Sequence, residues 1–321
     1  MTRTRSLAAS FLSLSAAAVL ALSGAGGAVA APSSDGDKSA PPVFSAKVDS
    51  SGAADYWTAD RMRAAVPGDI LAAKALDRGN TSGEVSAGKG GATKDKGTKG
   101  KPTIAKPASG MNSVGKVFFT LDGEDYVCSG NAVVSANSST VATAGHCLFG
   151  GAELPSRFIF VPGYYNGTSP YGAWTGESYH LPSGWKDSGN MEFDTGFVVV
   201  KPVDGAPLLT DAVDESVPDF NLPRGLTYKA YGYPSSKPFD GGKLWSCTGA
   251  ATLDNNNAQF NSQGIPCDMT GGSSGGPWLT ETAAGTVQNS LNSYGYNRSP
   301  VMYGPYWGSE IEAAYKAAEA A

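Results

Sequence analysis

Thr143-Ala144-Gly145-His146-Cys147 and Gly272-Ser273-Ser274-Gly275-Gly276-Pro277 are the two stretches on which the reading of this 321-residue chain turns. The first sets a histidine beside a cysteine, and the second sets two serines among glycines. A serine hydroxyl is a poor nucleophile until a base takes its proton, and an imidazole with a pKa of about 6.5 can do so at neutral pH. Glycines around such a serine let backbone N–H groups turn toward a developing oxyanion, in dihedral ranges that side chains disfavour. The chain has two histidines, His146 and His180, and both precede the serines.

The serine stretch also fits G-x-S-x-G in the register Gly271 to Gly275, with Ser273 as nucleophile. In α/β-hydrolases that elbow is followed by the acid and then the histidine. No histidine follows Ser273 here, so that register fails and Ser274 is the expected nucleophile. In the order His then Ser, the two motifs together resemble those of trypsin-like (chymotrypsin-fold) serine endopeptidases. The resemblance covers about residues 114–318. It implies an all-β fold of two six-stranded antiparallel β-barrels sharing a cleft, with a C-terminal α-helix.

The base needs a carboxylate to hold its tautomer. Asp194, in Phe193-Asp194-Thr195-Gly196-Phe197-Val198-Val199-Val200, lies between His146 and Ser274 and just before an apolar strand, a pattern similar to the family's. Asp187 and Asp204 occupy Ser/Gly and Pro/Gly turns, where Asp is commonly a turn residue. His180 reads as an exposed residue of a loop or strand edge and receives no role. The resemblance makes His146, Asp194 and Ser274 the triad and the amides of Gly272 and Ser274 the oxyanion donors. Asn292-Ser293-Tyr294-Gly295-Tyr296 resembles the family's Ser-Trp-Gly pocket wall, with Ser293 supporting Asp194 and Tyr294 offering a flat face. Met302-Tyr303-Gly304-Pro305 is a candidate far wall.

Asp268 stands six residues before Ser274, where trypsin-like enzymes carry the acid that selects Arg or Lys. The neighbouring Cys267 is placed differently from the family's cysteine, so substrate preference stays open between Arg/Lys, Glu and aromatic or aliphatic residues. Glutamate preference usually involves a His after the serine, which this chain lacks. The residue before the nucleophile is Ser273 rather than the trypsin group's Asp. Activation by a new N-terminal amine is therefore not expected; removing a propeptide would activate by uncovering the cleft. This is similar to the bacterial glutamyl-endopeptidase (V8-like) branch.

Arg3 and Arg5, an apolar run from Leu7 to Leu22 and Ala28-Val29-Ala30 give residues 1–30 the layout of a secretory signal peptide. An even count of four cysteines in an exported chain favours disulfides. With neither C-x-x-C nor a His cluster, no zinc is expected; the resemblance implies no metal or organic cofactor, and a structural calcium site stays open. Of three possible pairings, the resemblance implies Cys128–Cys147, which closes the loop carrying His146, and with it Cys247–Cys267.

Residues 31–108 read as a propeptide and linker, with the boundary between 89 and 111, and residues 109–321 as the protease domain. From Gly79 to Gly110 the chain is dominated by Gly, Lys, Ser, Thr and Pro, too polar to offset chain entropy by burial, and reads as flexible. Before it, Thr58 caps a short amphipathic helix that Val66-Pro67-Gly68 ends. Seven later runs rich in β-branched and aromatic residues read as strands: 114–121, 130–135, 140–144, 157–161, 197–201, 226–233 and 285–290. The stretch 309–318 reads as a helix capped by Ser309 with Glu312 closing the capping box.

Residues 1–108 hold 14 Lys/Arg against 9 Asp/Glu, and residues 109–321 hold 10 against 20. An acidic domain argues against nucleic acid, and no run after the signal could span a bilayer. The expected partners of a secreted monomer are protein or peptide substrates and its own propeptide. Two alternatives stand beside the endopeptidase: an idle binding protein on the same scaffold, and a protease that cleaves only its own leader.

Overall fold

Strands whose two faces are both apolar need cover on both sides, and that requirement organises this structure. The computed structural model describes residues 40–78, 85–86, 103–203, 205–296 and 299–321. The expected signal peptide and most of the Gly/Lys-rich stretch lie outside the described residues, and residues 40–321 form one compact unit.

The segment ahead of the expected domain boundary, read from the sequence as a leader and linker, contributes β1 (Val43–Lys47), α1 (Ala53–Tyr56), α2 (Ala59–Ala64), β2 (Val66–Pro67), α3 (Asp69–Arg78), β3 (Val85–Ser86) and β4 (Lys106–Pro107). The first half then follows with β5 (Val114–Leu121), β6 (Glu124–Val133), β7 (Thr140–Thr143), β8 (Ser156–Pro162), β9 (Trp174–Pro182), α4 (Ser183–Ser188) and β10 (Gly196–Pro202). The second half holds α5 (Leu209–Ala212), β11 (Val217–Pro218), β12 (Thr227–Gly232), β13 (Trp245–Ala250), β14 (Thr252–Leu253), β15 (Gln263–Pro266), β16 (Pro277–Thr282), β17 (Gly285–Leu291), β18 (Tyr294–Tyr296) and β19 (Val301–Gly304), and ends in α6 (Ser309–Glu319).

In the first half β9, β10, β7, β6, β5 and β8 pair in that order and β8 returns to β9, closing a six-stranded antiparallel barrel. Along β5 the period-2 alternation sends Val117, Phe119 and Leu121 into the barrel core. Val114 and Phe118 face outward into a second cluster, and there the leader covers them with Ala53, Trp57 and Met62. Trp57 fixes its ring by donating to the Arg157 carbonyl at 2.7 Å. The second half is built as two sheets, ordered β11-β17-β16-β12-β13-β4 and β14-β15-β19-β18-β3. Between them lies a core of Tyr228, Ala230, Ile265, Met269, Trp278 and the cystine Cys247–Cys267.

The C-terminal helix buries Ile311, Ala314, Tyr315 and Ala318, one stripe at helical spacing. Its start differs from the sequence reading. Gly308 is the N-cap residue and makes no side-chain cap bond, Ser309 bonds Glu310, and Glu312 accepts from Asn221. In α2 the expected cap forms, Thr58 Oγ1 accepting from the Arg61 amide. His180 also differs: it is buried in β9, because β1 pairs alongside and bonds its ring through Ser45, with Ser178 on the other nitrogen. Burial holds its pKa below the usual histidine value. The stretch read as flexible from Gly79 to Gly110 is packed from Thr103 onward, where β4 pairs with β13 and Ala105 is buried.

Barrel closure depends on backbone contact at Gly115, where an added Cβ would lie 2.4 Å from the Val161 carbonyl oxygen and 2.6 Å from Pro162 Cα. Main chain cannot yield as a side chain does, so Gly115→Ala is expected to cost about 1–3 kcal/mol. Thermal or urea unfolding, read as a lowered midpoint, checks it.

Candidate active site

His146 lies in a short 3₁₀ turn, Gly145–Cys147, that follows β7 directly. The disulfide Cys128–Cys147 ties this turn to β6. Asp194 follows the 3₁₀ turn Met191–Phe193 and precedes β10. The next residue, Thr195, accepts from Trp307 Nε1 at 3.2 Å, which pins the segment from the far side.

The Asp194 carboxylate is fully buried. Its Oδ1 accepts from the His146 amide at 2.8 Å, and its Oδ2 lies 2.8 Å from His146 Nδ1. Ser293 Oγ donates to the same Oδ2. An ionised carboxylate only accepts, so Nδ1 is the donor, and in the neutral imidazole Nε2 keeps its lone pair. That nitrogen is buried without a hydrogen-bond partner. No hydrogen bond therefore joins it to Ser274 in this state; such bonds commonly tighten only with substrate bound.

The serine turn is held against the histidine turn by the main chain. Ser129 donates its amide to the Ser274 carbonyl at 2.7 Å and its hydroxyl to the Gly272 carbonyl at 2.9 Å. At Gly275, with φ +83°, an added Cβ would sit 2.2 Å from Thr143 Oγ1 and 2.7 Å from the Ala144 amide, so only glycine lets the two turns approach this closely. Asn292 completes the support: Nδ2 donates to the carbonyls of Tyr231 and Ser273, and Oδ1 accepts from Trp278. Gly272 adopts φ +91°. Among the described residues the amides of Gly272 and Ser274 donate to no protein acceptor, which leaves two donors free beside the serine. Ser129 and Asn292 carried no sequence signal beyond adjacency to Cys128 and Ser293.

The expected pocket residues are placed as follows. Gly295 and Asp268 line a cavity of about 30 Å³ together with Cys267, Met269, Tyr296 and Met302. Tyr294 is fully buried, stacked on Tyr303 at 5.2 Å, with its hydroxyl donating to Asp254 Oδ2. The Asp268 carboxylate accepts from the amides of Thr103, Ile104 and Ala105 and from the Thr103 hydroxyl. Among the described residues, the cluster whose ligand atoms lie close enough to share a metal is Cys128, His146 and Cys147. Both sulfurs are spent in the disulfide, so it offers no thiolate.

The leader lies across this region. Strand β2 runs parallel to Tyr126–Val127 of β6, and Gly68 donates to the Val127 carbonyl at 2.8 Å. Helix α3 packs on the histidine turn. Asp69 at its start is fully buried, and among the described residues both its carboxylate oxygens are unpartnered. An added Cβ on Gly271 would lie 2.2 Å from Asp69 Oδ1, so this carboxylate abuts the serine turn. Beyond it, β3 pairs antiparallel with Gly295–Tyr296.

No protein-family model matches the chain. The crystal structure of the protease Anisep from Arthrobacter nicotinovorans is 50% identical, with a TM-score of 0.65 over 68% of this chain and 100% of that one. A thermostable serine protease, AL20, from an extremophilic microorganism is 46% identical, with a TM-score of 0.61 over 65% of this chain and 98% of that one. Among curated proteins, an extracellular metalloprotease of Bacillus subtilis is 30% identical over 125 residues, 38% of this chain and 37% of its own length. Glutamyl endopeptidase of Bacillus licheniformis is 30% identical over 156 residues, 46% of this chain and 44% of its own length. The match thus spans less than half of either curated relative. The chain belongs to the trypsin-like, chymotrypsin-fold serine protease family.

Removing the Ser293 hydroxyl takes one hydrogen bond from a buried carboxylate, worth about 1–3 kcal/mol. Ser293→Ala is expected to lower peptide turnover about 5- to 150-fold with little change in KM. Ser293→Thr, which keeps a hydroxyl, should recover most of it; steady-state kinetics on the pair checks this.

Proposed function

We propose that this chain is a secreted serine endopeptidase, made with a leader that lies over its cleft until it is removed. The observation that carries the reading is the buried chain from Ser293 through Asp194 to His146, with Nε2 unpartnered among the described residues. Family membership supports it, as does the pair of free amides beside Ser274.

The steps follow from the protonation states. His146 Nε2 takes the Ser274 proton as Oγ attacks the scissile carbonyl carbon. The carbonyl oxygen becomes an oxyanion, which the amides of Gly272 and Ser274 can receive. The tetrahedral intermediate collapses, the C–N bond breaks, and the leaving amine takes the proton from His146. A water then gives its proton to His146 and attacks the acyl-enzyme ester. The second intermediate releases the acid and restores Ser274. Asp194 remains ionised throughout and stabilises the imidazolium.

The leader contacts support latency in the full chain. His146 is fully buried and Ser274 is 4% exposed, under elements that precede the expected domain boundary. Removing a leader from residues 31 to about 102 would expose them; secretion rests on the signal-like residues 1–30 and on the extracellular relative.

The test compares the full chain, its matured form and Ser274→Ala, using a fluorophosphonate that phosphonylates an activated serine and a diverse peptide library read by mass spectrometry. The matured parent is expected to label and cleave, the full chain to do both much more slowly, and Ser274→Ala to do neither. A matured parent that neither labels nor cleaves would return the weight to an idle binding protein; cleavage confined to the leader would favour self-processing.

A pH dependence follows from Asp69, whose carboxyl burial pushes well above the usual carboxylate range. Among the described side chains, the histidine turn brings His146 and α3 brings Lys74, and neither pairs with Asp69. A carboxyl whose docked pKa is raised holds its proton on docking. Docking is therefore strongest below the free value of about 3.9 and weakens as pH rises through the raised one. Labelling of the full chain should accelerate with pH more steeply than that of the matured form. Asp69→Asn, which cannot ionise, should remove the difference.

A further inference from the structure

Asp268 occupies the position from which the sequence reading drew a preference for Arg or Lys, yet its surroundings assign it other work. An ionised carboxylate offers about four acceptor sites. Four donors meet this one: the Thr103 amide at 2.6 Å, the Thr103 hydroxyl at 3.0 Å and the Ile104 amide at 3.1 Å on Oδ2, and the Ala105 amide at 2.7 Å on Oδ1. Partial burial by itself raises the Asp268 pKa, but the three amides and the hydroxyl together hold it below the usual carboxylate range. Few of its acceptor sites are left for a guanidinium or ammonium group.

The donors come from a segment that is otherwise fastened to the second half. Ala105 is buried against the Cys247–Cys267 core, Lys106–Pro107 pair with Trp245–Ser246, and the Ala108 amide donates to the Leu244 carbonyl. On the other side, Asp268 and its neighbours Cys267 and Met269 form one wall of the cavity that Gly295 and Met302 close.

We propose that Asp268 is a positioning residue, a clamp on Thr103–Ala105 that holds the Cys267–Met269 wall of the substrate pocket, and that the mature chain must keep these residues. This rests on the endopeptidase reading above. A carboxylate clamped by successive amides is rigid, and the segment it fixes, just after β15, leads directly to the serine turn six residues on. Pocket shape would thereby depend on residues that compositional reading assigns to the linker.

Mass spectrometry of the intact mature protein is the first test. A start at or before Thr103 is expected; a later start overturns the clamp. Kinetics on matured Asp268→Asn and Thr103→Pro, the latter removing an amide and a hydroxyl, is the second. Each should raise KM several-fold for peptides carrying Arg or Lys, Glu, or an aromatic residue before the scissile bond, and the double variant should be no worse than the worse single. A loss confined to Arg and Lys peptides in Asp268→Asn, with Thr103→Pro unchanged, overturns the proposal. Thr103→Val, which deletes only the hydroxyl, serves where Thr103→Pro does not fold. An activity-free readout separates the clamp from the reading beneath it. In the full-length Ser274→Ala chain, Asp268→Asn should speed amide exchange at residues 103–105; unchanged exchange overturns the clamp. Faster exchange there, together with a matured Ser274 parent that never cleaves, would instead overturn the endopeptidase reading and leave the clamp standing.

Discussion

The buried carboxylate of Asp194 is the constraint that the remaining architecture serves. An isolated charge in a protein interior is costly unless it is hydrogen-bonded on all sides. Its partners come from two separate parts of the molecule. The His146 amide and ring belong to a turn of the first barrel, and the Ser293 hydroxyl belongs to the strand connection of the second half. Satisfying one carboxylate therefore fixes how the two halves meet. Gly275, pressed against Thr143 and Ala144, then brings the serine turn to the same place.

Three aspartates show how environment rather than residue type sets a role. Asp194 takes its partners from both halves and orients an imidazole. Asp268, with four donors, is held ionised and tied to Thr103–Ala105. Asp69, with none, is buried beside Gly271 under a penalty that pushes it toward its neutral form. The first two carboxylates are hydrogen-bonded where they are buried, whereas the third meets no partner among the described residues.

The segment read from the sequence as a leader is packed into the fold. It supplies β1 to the barrel sheet, covers the outer face of β5 with Trp57 and Met62, and lays α3 over the histidine turn. Its apolar residues do for β5 what a neighbouring sheet would do, so the leader and the first barrel share one packed interface. Its contacts reach both walls of the candidate cleft, at Gly271 and at Gly295.

The candidate triad was legible because its chemistry is local: a histidine beside a cysteine, a serine among glycines, an aspartate ahead of Phe197-Val198-Val199-Val200. The all-β class followed from β-branched runs such as Val114–Leu121. Strand β9 was not read, because Gly176, Glu177 and His180 break the apolar pattern and its burial comes from β1 and β10. Ser129 and Asn292 gave no signal, since their bonds run to residues more than a dozen positions away. The sequence by itself determined which groups can exchange a proton and which strands have apolar faces, because those properties belong to single residues and their near neighbours. Only the tertiary structure decided which carboxylate is paired, clamped or stranded, because burial and hydrogen-bond supply are set by segments that meet after the chain has closed on itself.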